Sequence, residues 1–143
     1  SLLRLNMSHL SKDQLIKSIN YIKKNSSIQI CIDTEGAQIR TKVKKEKFVK
    51  LGKILIIKRY KNNFNLYPDY ILDRLKINDI LDIGFNNLKV RIIQKRNKSI
   101  ICKTISSGKL ENNKGVHVVN RKVKIDYLTK KDFDAIKIGK KYK

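Results

Sequence analysis

The 143-residue chain has no tryptophan, one proline, six glycines and two cysteines. So little proline and glycine leaves no low-complexity linker, and no repeat is visible. No apolar run reaches the roughly 18 residues that a membrane-spanning helix needs, and no basic-then-apolar leader precedes a cleavage site. The sequence therefore predicts a soluble, unsecreted, cytoplasmic protein with no membrane partner. Cys31 and Cys102 lie in the strand-like runs "IQICIDT" and "SIICKT", outside any metal-type spacing, so buried free thiols are expected over a disulfide or ligand pair. At 16.7 kDa the chain suits one domain, or one domain with part of another, around a modest core.

Acidic residues are also scarce: 12 against 34 lysines and arginines, for a net charge of +22. Such a balance attracts polyanions. Most of the cations are lysines spread along the chain, however, whereas bidentate recognition favours arginine and single-strand binding favours exposed aromatics. Nucleic acid is therefore not expected as the main partner, and a basic β-barrel nucleic-acid module is held as an alternative. The runs "KVKKEK" and "KIGKKYK" read as solvated faces.

The order of elements begins with a strand-helix-strand unit. After "LLRLNMS", Ser11 and Gln14 form a capping box, Leu10 and Leu15 a hydrophobic staple, and Leu15, Ile16, Ile19 and Ile22 one helical face. "SIQICID" then reads as a strand, parallel to the first because a helix joins them. Beyond Arg40 come short β-like runs, "TKVKK", "KILIIKRY", "LKINDILDI", "NLKVRIIQ" and "KSIICKT", divided by turn signals such as "GFNN" and "KRNK". These predict a small antiparallel sheet or barrel. Thr129 and Asp132 form a second capping box that opens a short helix, after which "AIKIG" reads as the start of another strand.

Three landmarks stand in a fixed order: "RLNMSH", then "IDTEGAQIRT", then "KGVHV" followed by "LTKKD". In this order the chain resembles the pyruvate kinase family over essentially its whole length. In that family an Arg-x-Asn-x-Ser-His stretch and an Asp-Thr-Lys-Gly-Pro-Glu-Ile-Arg-Thr stretch end successive barrel strands. An inserted lid follows, closing with a Lys-Gly-Val-Asn segment and a Leu-Thr/Ser-x-Lys-Asp helix start. The resemblance implies an α/β fold with a β-rich insertion, as a fragment of a TIM (β/α)8 barrel carrying a small antiparallel β-barrel lid. Its expected division is residues 1–40 as partial barrel, 41–125 as lid and 126–143 as return to the barrel.

The resemblance further implies transfer of phosphoryl from phosphoenolpyruvate to ADP, giving pyruvate and ATP, with magnesium and potassium as cofactors and a homotetrameric parent protein. It assigns Asn6, Ser8, Asp33 and Thr34 as oxygen ligands of potassium. Arg4 falls to the transferred phosphoryl group or substrate; Arg40 and Lys114, with Asn6, fall to the nucleotide. Guanidinium groups suit this work because a planar fork spreads and neutralises phosphate charge. The family's catalytic lysine and its magnesium-holding carboxylates belong to later barrel strands, so no catalytic residue is assigned among these 143 and the isolated chain is expected to be inactive.

Several residues depart from the family's pattern. Glu35 stands where lysine is usual, Ala37 where proline is, and Gln38 where a glutamate linked to potassium dependence is. Ile83 replaces the second aspartate of the lid's pair, leaving Asp82 alone. His117 replaces the asparagine of the lid-closing segment and reads as exposed or structural, and His9 fits the first stretch. These departures make a diverged homologue with altered or lost catalysis the second reading.

Overall fold

The computed structural model describes residues 1–36, 38–60 and 63–142. Ala37 and the last lysine of "KIGKKYK" lie outside them. The chain divides into two compact units, Ser1–Ala37 with Asp126–Lys143, and Gln38–Ile125. Ile39 and Arg40, expected at the end of the first segment, lie in a strand of the second unit.

The first unit is a parallel pair, β1 (Leu2–Asn6) and β2 (Gln29–Asp33), joined by α1 (Lys12–Asn25). Both halves of the Ser11–Gln14 capping box are present, so two amides that the helix leaves unpaired are satisfied. Leu15 and Ile19 are buried with Leu5 and Met7, and Leu10 packs at the margin of this cluster as the staple requires. A second helix, designated α3 (Lys130–Lys141) in chain order, contributes Ala135 and Ile138 to the same core. Its Thr129–Asp132 capping box also forms.

"AIKIG" is not a strand: it is the second half of α3. Ala135 and Ile138 fall three apart on the buried side, a helical spacing that the short apolar run disguises. Gly139 is tolerated there because α3 lies close to β2, where an added Cβ would come within 2.9 Å of Ile32 Cδ1.

The second unit is a seven-stranded antiparallel sheet. Its strands are β3 (Ile39–Val43), β5 (Ile54–Lys58), β6 (Phe64–Tyr67), β7 (Ile80–Ile83), β8 (Leu88–Arg96), β9 (Ser99–Ser106) and β11 (Gly115–Val118), in the order β5-β9-β8-β7-β11-β3-β6. The outermost strands β5 and β6 lie side by side, and Asn65 donates to the Lys58 carbonyl at 2.6 Å, so the sheet curls into a nearly closed barrel. A short ribbon of β4 (Lys47–Val49) and β10 (Gly108–Leu110) and a single helical turn, α2 (Ile71–Arg74), complete it. Alternation decides the interior: Leu88, Val90 and Ile92 are buried while Lys89 and Arg91 face out. "LKINDILDI" is strand only from Ile80, because Asn78 turns with positive φ and Asp79 folds back to accept from the Lys76 amide.

Asp79, 2% exposed, also accepts a fork from Arg121 Nε and Nη2 at 2.6 and 2.7 Å, which raises the Arg121 pKa above its ordinary value. Cys102 is a buried free thiol; Cys31 is also free but only half-buried, since it lies on a two-stranded sheet with little to cover it.

Two outcomes follow from this packing. A Cβ at Gly108 would sit 2.6 Å from the Leu88 amide nitrogen, so Gly108→Ala forces backbone apart and is expected to cost about 1–3 kcal/mol in urea unfolding; an unchanged midpoint would show that the ribbon is not held there. Burial pushes the Cys102 thiol from 9.0 up to about 12. The unfolded chain then loses this proton first, so the stability linked to it is intact below the unfolded value and is lost as pH rises through the folded one. Cys102→Ala should therefore flatten the alkaline decline in stability relative to wild type, as read by urea titrations at successive pH values.

Candidate functional site

At the C-terminal ends of β1 and β2 the parallel register sets Asn6 opposite Asp33. Arg4, two residues earlier on the same face of β1, reaches Asp33 Oδ2 with Nε at 3.0 Å and Nη2 at 2.5 Å. The pair is exposed, with Arg4 65% and Asp33 37% accessible, so it remains available to a ligand. Past the strand ends the chain is pinned by backbone: the Met7 amide donates to the Asp33 carbonyl at 2.8 Å, and Asn6 Oδ1 accepts from the Ser8 amide at 2.9 Å. Thr34 follows Asp33 directly and is half-buried. Arg4, Asn6, Ser8, Asp33 and Thr34 thus lie at or just past two adjoining strand ends.

A residue set that the sequence reading missed supports these loops. Asp132 is fully buried, and its carboxylate accepts from the amides of Glu35 at 2.7 Å, Gly36 at 3.2 Å and Thr129 at 2.9 Å. Next to it, Lys131 Nζ donates to Glu35 Oε1 at 2.8 Å and to the Met7 carbonyl. The capping box announced Asp132 as a helix start. Nothing local announced its grip on a loop nearly one hundred residues away.

In the second unit, Arg40 on β3 pairs with Gly115 on β11, and the Thr41 amide donates to the Lys114 carbonyl at 2.8 Å. Thr41, 1% exposed, also turns its hydroxyl toward the Glu111 carbonyl and accepts from the Lys114 amide. The ladder therefore sets Arg40 opposite Gly115, and the backbone of Lys114 against Thr41. Arg40 Nη1 donates to the Asn113 carbonyl at 3.0 Å and Nη2 to Gln38 Oε1 at 2.8 Å, while its buried Nε has no partner among the described residues. Lys114 Nζ lies 4.0 Å from Glu111 Oε1 and is 43% exposed. Asp82 has one oxygen without a partner among the described residues, and His117 is exposed on β11.

The donors on the first set are oxygens of carboxylate, amide and hydroxyl type, which fit a hard monovalent cation. Among the described residues no group of three or more His, Cys, Asp or Glu is arranged to hold a metal ion. No helix among them is long and apolar enough to cross a membrane.

The family description "pyruvate kinase, barrel domain" matches residues 1–143. The chain belongs to the pyruvate kinase family. It is 31% identical to a pyruvate kinase of Staphylococcus epidermidis over 95% of its own length and 26% of that protein, and 28% identical to one of Borreliella burgdorferi over 99% and 31%. The chain thus spans between a quarter and a third of these relatives. Solved structures agree on the fold: the Cryptosporidium parvum pyruvate kinase superposes with a TM-score of 0.81 at 23% identity, covering 95% of this chain and 31% of that one, and the Pyrobaculum aerophilum enzyme with 0.62 at 20%. The architecture is that of the family, a strand-helix-strand piece of its β/α barrel carrying a β-rich insertion.

The geometry separates Asp132 from Arg4 by the expected effect of each on stability. Removing Asp132 leaves three amides without their acceptor inside the fold, so Asp132→Ala should cost about 2–4 kcal/mol. Arg4→Ala, which breaks an exposed pair, should cost about 1 kcal/mol or less. Comparable losses in denaturant titrations of the two variants would contradict this ranking.

Proposed function

We propose that this chain is the nucleotide- and cation-binding portion of a phosphotransferase that moves phosphoryl from phosphoenolpyruvate to ADP, in the cytoplasm, as part of a homo-oligomeric enzyme. The observation that supports the reading is the β3–β11 pairing, which sets Arg40 opposite Gly115, the residue after Lys114, in a chain that the family matches from end to end. In this reading Arg40 and Lys114 hold the nucleotide's phosphates. Among the described residues Arg40 Nε has no partner, and its two other donor nitrogens are engaged by neutral oxygens that a phosphate would displace.

Arg4 turns from Asp33 to the transferred group, and its guanidinium offsets the charge that accumulates on the equatorial oxygens. Asn6, Ser8, Asp33 and Thr34 hold potassium. That ion, when bound, supplies fixed positive charge next to the phosphate site. Magnesium and the proton-handling lysine are assigned to segments of the family not represented in these residues. The β-rich unit acts as the lid: closing it excludes water and so strengthens the contacts of Arg40 and Lys114.

A diverged enzyme with altered catalysis is the second reading, favoured by Gln38, whose amide is spent on Arg40 where the family has a charged carboxylate. A coupled pyruvate-release assay on the full-length protein distinguishes the two. Arg40→Ala should lower kcat/KM for ADP by roughly 100-fold or more while leaving the fold intact. Absence of pyruvate from folded wild-type protein, with or without potassium, would overturn the kinase reading.

A further inference from the structure

The substitution of Glu35 for the family's usual lysine has a physical consequence in this chain. A lysine at position 35 would place like charge against Lys131. A glutamate instead draws the Lys131 ammonium in, at 2.8 Å, and the same ammonium donates to the carbonyl of Met7. Met7 lies between Asn6 and Ser8, and Glu35 follows Thr34, so one cation bridges the two loops that carry the assigned oxygen ligands. The ion pair is sheltered: the Glu35 side chain is 10% accessible and that of Lys131 31%. Thr129 Oγ1 also lies 3.4 Å from Glu35 Oε2, and Asp132 beneath fixes the Glu35 and Gly36 amides.

We propose that Lys131 is a positioning residue, whose bridge from Met7 to Glu35 holds the two ligand-bearing loops at the spacing that a monovalent cation requires. The inference rests on the reading of Asn6, Ser8, Asp33 and Thr34 as ligands of that cation. Lys131 itself touches neither cation nor substrate. Its ammonium removes the freedom of two loops that would otherwise have to be ordered at the moment of binding, and supporting partners of this kind are commonly worth about 10-fold or more in metal affinity.

The test uses Lys131→Met, which keeps the aliphatic stem and loses the ammonium, and Lys131→Arg, which keeps a cation able to donate to both oxygens. In the full-length protein, potassium chloride is titrated against tetramethylammonium chloride at constant ionic strength while the melting temperature is followed. Amide hydrogen exchange is measured by mass spectrometry in parallel. Lys131→Met should raise the potassium midpoint by about 10-fold and speed exchange in the 7–9 and 33–36 segments together, with α1 unchanged; Lys131→Arg should restore both.

A potassium midpoint in Lys131→Met equal to wild type, or unchanged exchange in both loops, would overturn the proposal. A lower melting temperature in both salts with the same potassium increment would also overturn it, since that reports a structural role alone. Wild-type protein without any potassium-specific shift would instead remove the cation reading on which the proposal stands, a failure recognisable before any variant is made.

Discussion

The Asp132 carboxylate is the constraint on which the strand-end loops depend. Three amides converge on it from two stretches of chain nearly one hundred residues apart. A carboxylate accepts up to four hydrogen bonds, so one side chain can close a helix start and fix the turn after β2 at once. The entropy of ordering that turn is met by charge-assisted bonds in a site that water does not reach. The turn that follows Asp33 and Thr34 takes its geometry from this anchor.

Scarcity of acid explains why so much hangs on single carboxylates. With 12 acids facing 34 cations, self-repulsion works against any compact state, and each acid placed inside the fold does more than neutralise a neighbour. Asp79 takes the fork of Arg121 and the Lys76 amide, closing the turn that begins β7. Glu46 accepts from the Asn112 amide, tying the start of the β4–β10 ribbon to the loop that precedes β11. Glu35 collects Lys131. These acids are used as fasteners between segments of the chain.

What could be read from the sequence, and what could not, divides along that same line. Both capping boxes, the parallel strand pair and the alternation of β5, β8 and β9 were legible, because each is written within a window of a few residues. The ends of β1 and β2 were singled out by the resemblance and not by spacing alone, and the register that sets Asn6 opposite Asp33 came only with the structure. "AIKIG" misled because a short apolar run carries no period of its own, and the partner that selects the helix, β2, lies far upstream. The three-residue strands β4 and β10 were too short to show alternation. The Lys131–Glu35 bridge was invisible for a further reason: a lysine in a chain this rich in lysine carries no signal until its partner's position is known.

Charge is divided unequally between the two units, and the division bears on how the arginine of β3 must act. Residues 38–125 hold 23 cations and 6 acids, a net +17 of the chain's +22. A field of that size draws any polyphosphate toward the β-rich unit and raises association rates, but it falls with salt and does not tell one anion from another. Discrimination has to come from fixed geometry at short range. Arg40 has that geometry: its backbone is locked in the ladder against Gly115, and its guanidinium is held flat by Asn113 and Gln38. Lys114, half-exposed and 4.0 Å from its only acidic neighbour among these contacts, is free to follow the charge. The lysines of the surface can therefore supply attraction in bulk, and on the proposed reading selectivity falls to Arg40, whose guanidinium is already held by two neighbouring oxygens.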